Sequence, residues 1–180
     1  MSKSLESQSK FLSLILRHTP ERIGLTLDSN GWADLSLLLQ LANSHGTNLT
    51  HESVLEIVAT SDKKRFALNA DQSKIRASQG HSIRVDLGFE PKPPPEFLFH
   101  GTASRFLDSI RAQGLQPGDR QHVHLSSTES TAIEVGQRHG KPIVLKIDAL
   151  IMHSKGHQFY LSENGVWLTA SVPQAFIQFP

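Results

Sequence analysis

The segment "EPKPPPEF", residues 90–97, constrains the fold more than any other stretch of this sequence. It places four prolines in the five positions 91–95. Proline has a fixed φ and no backbone N–H, so such a run cannot continue a helix or a central strand and favours a stiff, extended connection. We therefore predict two domains, residues 1–89 and residues 97–180, with a linker at residues 90–96.

Before the prolines, the pattern predicts three helices followed by short strands. The first helix ends near Arg17, the second follows Asp34 as its N-cap and ends near Gly46, and the third follows Thr50. The runs "RFALNA", "KIRASQ" and "SIRVDL" predict small antiparallel strands. Three helices with a terminal β-ribbon are typical of a winged-helix arrangement.

After the prolines, the sequence is rich in predicted strands. Candidate strands are "FLFHGT", "HVHLS", "PIVLKIDA", "QFYLS", "GVWLTASV" and "AFIQF", and candidate helices are "SRFLDSIRAQG" and "ESTAIEVGQRHG". Asn164-Gly165 predicts a hairpin turn before Trp167, which we expect in the core. This half is therefore predicted to be α+β, with a twisted, mainly antiparallel sheet.

Composition excludes several classes of chemistry. The chain has no cysteine, so disulfides, thiolate nucleophiles and Cys-ligated zinc are ruled out. No run reaches the roughly 18 apolar residues of a membrane span, and the first ten residues lack the apolar core of a signal peptide, so a cytoplasmic location is expected. Lys and Arg total 18 against 17 for Asp and Glu, but six cations lie between Asp62 and Arg84, where an anion would bind best.

Two cationic motifs lie in the first half. Arg17 and His18 are adjacent at a predicted helix end, where the helix dipole alone would favour a cation. The other interpretation is a phosphate clamp, because the planar guanidinium matches phosphate oxygens and histidine titrates near neutral pH. In "SDKKRF", a solvated turn is the simpler interpretation, yet Lys63 and Arg65 could share a direction opposite to that of Phe66.

Two motifs in the second half also carry chemistry. The run "FLFHGT" places His100-Gly101-Thr102 at the end of a strand, where glycine would let a ligand approach the backbone closely. In "RQHVHLSS", alternation puts His122 and His124 on one strand face, and Arg120 shares that face. Two histidines at this spacing could bind a metal, but no third ligand is close in sequence, so an anionic ligand fits better.

In this order the motifs resemble the RNA 2′-phosphotransferase family, the NAD-dependent enzymes best known as tRNA 2′-phosphotransferases of tRNA splicing. The motifs are "LRHTPE", "LDSNGWADL", "SDKKRF", "IRASQGHSI", "HGT", "RQHVHLS", "VGQRHGKP" and "NGVWLT", within residues 8–172. The resemblance implies an N-terminal winged-helix lobe followed by a C-terminal ADP-ribosyltransferase-like lobe. It also implies that NAD is consumed as a co-substrate, that no metal is required, and that the partner is RNA with an internal 2′-phosphate. We expect a monomer that does not bind membranes.

The resemblance implies a reaction in two steps. The RNA 2′-phosphate attacks the anomeric carbon of the nicotinamide ribose and expels nicotinamide, which gives a 2′-phospho-ADP-ribosylated RNA. The 2″-hydroxyl of that ribose then attacks the phosphorus. The products are RNA with a free 2′-hydroxyl and ADP-ribose 1″,2″-cyclic phosphate.

The resemblance also assigns site residues. The implied catalytic residues are Arg17, His18, Arg65 and Arg120. The implied NAD contacts are His100, Gly101, Thr102, His124, Leu125 and Ser126. The expected RNA contacts are Lys63, Arg76 and His81. Cations suit this role, since a phosphomonoester carries nearly two negative charges at neutral pH and needs positioning rather than a general base.

Two other functions stay open. One is an ADP-ribosyltransferase acting on a nucleic-acid terminal phosphate or another phosphate acceptor. Many such transferases carry a late catalytic glutamate; here Val166 lies near that place, and Glu163 is close by. The other function is a nucleic-acid binder without catalysis. Against the binder, the third helix "HESVLEIVATSD" has two Glu and no Arg or Lys with which to read bases.

Overall fold

The computed structural model describes residues 3–180, apart from the side chain of His139, and divides the chain into two units, Met1–Gly88 and Phe89–Pro180. The proline-rich segment belongs to the second unit. Pro91 forms an isolated antiparallel bridge with Tyr160, and the backbone N–H of Lys92 donates to the carbonyl of Phe159 at 2.8 Å. The prolines thus lie at the margin of β-structure, where their missing N–H groups remove no ladder hydrogen bond.

The first unit begins with three helices, as predicted. They are α1 (Lys3–Arg17), α2 (Leu35–Ser44) and α3 (His51–Thr60), with a short 3-10 helix at Pro20–Ile23. The predicted N-cap Asp34 is confirmed, because its carboxylate accepts from the N–H of Leu37 at 2.8 Å. Thr50, which the third helix was predicted to follow, also caps that helix, with its hydroxyl accepting from the N–H of Ser53 at 3.1 Å.

The sheet of the first unit differs from the prediction in two ways: it contains an unpredicted short strand directly before α2, and it lacks one of the predicted strands. Its strands are β1 (Ala33–Asp34), β2 (Phe66–Leu68) and β3 (Lys74–Ala77), with β3 in the centre and both pairings antiparallel. The predicted strand in "SIRVDL" is wrong. The N–H of Ser82 donates instead to the carbonyl of Arg17 at 3.0 Å, and the N–H of Asp86 donates to the carbonyl of Ser29 at 2.8 Å. These two backbone N–H groups therefore bind a helix end and a loop rather than a neighbouring strand.

A hydrophobic core holds this unit together. It includes Leu12, Ile15 and Leu16 of α1, Leu38 of α2, Ile57 of α3 and Phe66 and Ile75 of the sheet, all buried. The face of α1 that carries the three apolar side chains is therefore fixed against the sheet and the other helices. Leu5 and Phe11 are partly buried and pack against the same core.

The second unit is α+β with antiparallel sheets, as predicted. Its helices are α4 (Leu107–Gln113), α5 (Glu129–Gly136) and α6 (Ala149–Ser154), with 3-10 turns at Ser104–Phe106, Gln137–His139 and Gln174–Phe176. Its strands are β4 (Leu98–Ala103), β5 (Val123–Leu125), β6 (Pro142–Ile147), β7 (Phe159–Leu161), β8 (Trp167–Thr169) and β9 (Ile177–Gln178). The helix α6 was not predicted.

The strands of this unit form two three-stranded sheets, in the orders β4-β6-β9 and β5-β8-β7. The two sheets meet where Phe99 and Ser126 form an isolated bridge, each N–H donating to the other's carbonyl at 2.9 and 2.8 Å. Trp167 is buried in the core, as predicted. Throughout residues 3–180, no helix combines the length and the apolar character needed to cross a membrane.

The helix α5 packs directly on the backbone of β4 at Gly101. A Cβ atom at this position would lie 1.7 Å from the carbonyl oxygen of Ala132 and 2.8 Å from the backbone nitrogen of Gly136. Real Cβ atoms do not approach backbone so closely, so only glycine fits here. This contact fixes the strand that carries His100 and Thr102.

Candidate active site

The end of α1 presents Arg17 and His18, both half-buried, beside the buried Leu16. The Arg17 guanidinium donates through Nη2 to the carbonyl oxygen of Arg65 at 3.3 Å, and its Cζ lies 6.0 Å from the ring centre of Phe66. On another side, a Cβ at Gly80 would lie 3.6 Å from Nη1. Arg17 is therefore held between two loops rather than extended into solvent.

A tight turn after α3 directs Arg65. Lys64 has a φ of 39°, a left-handed conformation that costs a non-glycine residue about 1 kcal/mol, and its N–H donates to the carbonyl of Ser61 at 2.8 Å. The carbonyl of Arg65 accepts from the N–H of Ser78 at 2.9 Å as well as from Arg17. Arg65 is half-buried while Phe66 is buried, so the predicted opposition of these two side chains is confirmed.

His18 is oriented by Ser82. The two side chains form a hydrogen bond of 2.9 Å between Nδ1 and Oγ, while the backbone N–H of Ser82 satisfies the carbonyl of Arg17. Ser82 thus joins the His18 ring to the end of α1. Sequence reasoning missed this residue, although it directly follows Gly80-His81 in a motif already singled out.

His81, one of the expected RNA contacts, lies inside the first unit. Its side chain is 2% exposed, and neither ring nitrogen has a hydrogen-bond partner among the described residues. Burial, reinforced by the charges of Arg17, His18 and Arg76, lowers the pKa of His81 from 6.5 to about 4. The ring is therefore neutral at neutral pH and lies against a cationic cluster.

This buried histidine makes the first unit sensitive to acid. The folded pKa of His81 lies below its unfolded value, so the unfolded chain binds the proton first and stability falls as pH drops below about 6.5 towards 4. We expect His81 to lower the free energy of unfolding by about 2 kcal/mol between about pH 7.5 and about pH 5. Denaturant unfolding followed by Trp32 fluorescence, in a Trp167→Phe background, measures this.

The matched comparison is His81→Phe against His51→Phe, which replaces an exposed histidine of the same unit. His81→Phe should flatten the pH dependence of unfolding, because the phenyl ring carries no titrating nitrogen. His51→Phe should leave that dependence as in the unsubstituted protein. Equal pH dependences in all three proteins would contradict the prediction.

Arg76, one of the cations whose charge acts on His81, contacts Trp32. The Arg76 guanidinium stacks on the Trp32 indole, with Cζ 4.6 Å from the ring centre. Arg76 lies in the central strand β3, opposite Ala67 of β2. Trp32 was not predicted as a site residue; its place in "LDSNGWADL" was the available signal.

In the second unit, Arg120, His124 and His100 form a connected series. Arg120 donates through Nη1 to Nδ1 of His124 at 3.4 Å, and Nδ1 of His100 contacts the carbonyl oxygen of His124 at 3.0 Å. Val123 and Leu125 are buried while His122 and His124 are half-buried, so the predicted alternation is confirmed. A cation and two imidazoles are thus brought together where β4 meets β5.

The other expected NAD contacts are more enclosed. Thr102 and Leu125 are buried, and Ser126 pairs through its backbone with Phe99. Gly101 was expected to admit a ligand, but the structure gives it a packing role, because α5 occupies the space beside it. Burial lowers the pKa of His122, whose ring meets Tyr160 edge-on at 5.7 Å.

The hairpin turn between β7 and β8 carries Glu163. Gly165 has a φ of 78°, and its N–H donates to the carbonyl of Ser162 at 2.9 Å, so the predicted turn at Asn164-Gly165 is confirmed. Glu163 is exposed and Val166 is half-buried. Among the described side chains, no three His, Asp or Glu residues lie close enough to hold a metal ion.

Most of the sequence matches one family. The sequence profile described as "RNA 2'-phosphotransferase, Tpt1 / KptA family" matches residues 3–171. The chain belongs to the RNA 2′-phosphotransferase family. Similar proteins named "Probable RNA 2'-phosphotransferase" come from Hahella chejuensis (strain KCTC 2396), 58% identical over 177 residues (98% of this chain and 95% of the relative), and from Pectobacterium carotovorum subsp. carotovorum (strain PC1), 61% identical over 170 residues (94% and 91%). A third, from Agrobacterium fabrum (strain C58 / ATCC 33970), is 58% identical over 169 residues (94% and 91%).

In this member of the RNA 2′-phosphotransferase family, contacts join several of the predicted site residues into one group in each unit. The first unit brings together Arg17, His18 and Arg65 and adds Ser82. The second unit brings together Arg120, His124 and His100. Each group joins residues that are distant in the sequence, so each depends on the fold of its own unit.

Proposed function

We propose that this protein removes an internal 2′-monophosphate from RNA by transferring it to NAD. The observation that carries the proposal is the cluster in which Arg17 contacts the Arg65 backbone and Ser82 orients His18. With the proposal goes the assignment of the first unit as a winged-helix lobe and of the second as an ADP-ribosyltransferase-like lobe. Three helices with a small antiparallel sheet, and two packed antiparallel sheets, support these assignments.

The first unit would bind the 2′-phosphate. Two guanidinium groups and an imidazole offer the charge-assisted donors that a phosphate dianion requires. The hydrogen bond to the Arg65 carbonyl and the contact with Phe66 limit the rotamers of Arg17, so little conformational entropy is lost when an anion binds. Lys63 and Arg76 would contact neighbouring parts of the RNA, and the neutral His81 would support the cluster from within.

The residues of the second unit fit the co-substrate NAD. The His100 and His124 rings would supply donors and acceptors for its ribose hydroxyls and amide, and Arg120, which contacts His124, would lie beside them as a catalytic cation. Thr102, Ser126, Gly101 and Leu125 would form the surrounding walls. NAD supplies an electrophilic anomeric carbon with nicotinamide as leaving group.

In the first step, a 2′-phosphate oxygen forms a bond to that carbon as the bond to nicotinamide breaks, and nicotinamide leaves with the electron pair. In the second step, the ribose 2″-hydroxyl bonds to phosphorus and loses its proton, while the RNA 2′-oxygen leaves and gains one. In the His18 tautomer that accepts from Ser82 Oγ at Nδ1, the ring carries its proton on Nε2 and could donate it to the departing oxygen. Arg65 and Arg120 would stabilise the charge that builds on phosphoryl oxygens.

The test is to incubate the protein with a short RNA that bears one internal 2′-phosphate, with and without NAD, and to identify both products. NAD-dependent formation of 2′-hydroxyl RNA and ADP-ribose 1″,2″-cyclic phosphate is expected. Matched RNAs with a 3′- or 5′-terminal phosphate test the alternative acceptor. A stable ADP-ribosyl adduct on every substrate would favour an ADP-ribosyltransferase, and no NAD-dependent product would overturn the proposal.

A further inference from the structure

A groove in the first unit extends the candidate site along α1. It has a volume of about 460 Å³, and one wall is α1, which contributes Ser9, Lys10 and Ser13. The other wall is the end of α3 and the turn after it, which contributes Thr60, Lys63 and Arg65. Arg65 therefore lines the groove and also accepts from Arg17 through its backbone carbonyl.

The helical repeat aligns the groove with Arg17. Ser9, Ser13 and Arg17 are spaced by four residues, so they follow one face of α1 over about 12 Å. That length exceeds the size of a single phosphate. Ser9 is 6% exposed, and the two small side chains leave a channel where larger residues would fill it.

The polarity and charge of the lining residues indicate which class of ligand the groove could bind. All the lining residues are polar or charged and none is aromatic, so the groove offers no ring on which a base could stack. Three cations face two acids, Glu6 and Asp62, and Glu6 pairs with Lys10 at 2.8 Å. Hydroxyls, a small excess of positive charge and a narrow shape suit the sugar–phosphate backbone of a single strand.

We propose that this groove binds the RNA backbone one or two nucleotides away from the 2′-phosphate, with Lys10 as its outer phosphate contact. The inference rests on the proposed function, which identifies the ligand as RNA. The groove indicates the direction in which the RNA strand would leave the 2′-phosphate. Binding should therefore strengthen when the RNA is lengthened on one side of the 2′-phosphate. Lys10 should account for much of that gain.

The experiment measures the Kd of fluorescent RNAs without NAD: a dinucleotide with an internal 2′-phosphate, and versions extended by four nucleotides at the 5′ or the 3′ side. Lys10→Glu is compared with Lys3→Glu, which makes the same change at an exposed position of α1 outside the groove. We expect extension on one side to lower the Kd about tenfold. Lys10→Glu should remove most of this gain and reduce the salt dependence of binding by about one phosphate contact, whereas Lys3→Glu should retain both.

Equal effects of the two substitutions would overturn the proposal, as would a Kd that does not change with RNA length. Neither result depends on turnover. The NAD assay can therefore fail, and overturn the proposed function, while length-dependent binding at Lys10 persists.

Discussion

Arg65→Ala is expected to slow the second step of the proposed reaction by about 10²–10³-fold and to make 2′-phospho-ADP-ribosylated RNA accumulate. The substitution removes a guanidinium group that would stabilise charge on the phosphoryl oxygens, and losing one such fixed donor costs about this much. The backbone carbonyl that holds Arg17 remains, because it belongs to the main chain of residue 65. Single-turnover assays that separate adduct formation from adduct decay measure both steps.

Arg22→Ala is the matched control, since it removes an exposed arginine of the same unit. It should change neither rate. Arg65→Lys should recover only part of the second step, because an ammonium group retains the charge but not the planar pair of donors. If Arg65→Ala and Arg22→Ala turn over RNA at the same rate, Arg65 is not a catalytic residue.

Gly101→Ala is expected to destabilise the second unit by about 3 kcal/mol, the upper end of the usual cost of overpacking. The added methyl group would overlap the backbone carbonyl of Ala132, and no change of side-chain rotamer can move that carbonyl away. The helix α5 must move away from β4 or the unit must unfold. Denaturant unfolding monitored by Trp167 fluorescence, in a Trp32→Phe background, reports the second unit selectively.

Gly118→Ala provides the comparison within the same unit. That glycine has a φ of 62° and no atom within 4 Å of an added Cβ, so the substitution should cost only about 1 kcal/mol of backbone strain. A similar loss of stability in both variants would show that the contact between α5 and β4 tolerates an extra methyl group. A large loss confined to Gly101→Ala would confirm that the contact requires glycine.

Local signals predicted much of the fold. Asp34 and Thr50 cap N–H groups only three residues further along the chain, so the helix starts could be predicted from a few residues. The segment "SIRVDL" alternates like a strand, but its backbone donors bind Arg17 and Ser29, which are distant in the sequence. The alternation of apolar and polar residues could not show that these N–H groups bind distant carbonyls instead of a neighbouring strand.

The candidate site shows the same division between local and distant effects. The opposition of Arg65 and Phe66 follows from strand geometry and was predictable. The burial of His81 and the stacking of Arg76 on Trp32 depend on how the strands and loops of the first unit pack, which no spacing rule contains. The sequence singled out Gly101 as a place where a ligand could approach the backbone, but only the structure shows that α5 packs against it.

The bridge between Phe99 and Ser126 has a consequence for motion. In the described part of the chain, this isolated bridge pairs β4 with the residue that follows β5. In addition, Nδ1 of His100 contacts the carbonyl oxygen of His124. Separating the two sheets locally would break few hydrogen bonds, whereas β4 and β6 are paired over six residues. The amide protons of Phe99 and Ser126 should thus exchange with solvent faster than those in the middle of β6, and a ligand that spans His100 and His124 should slow their exchange.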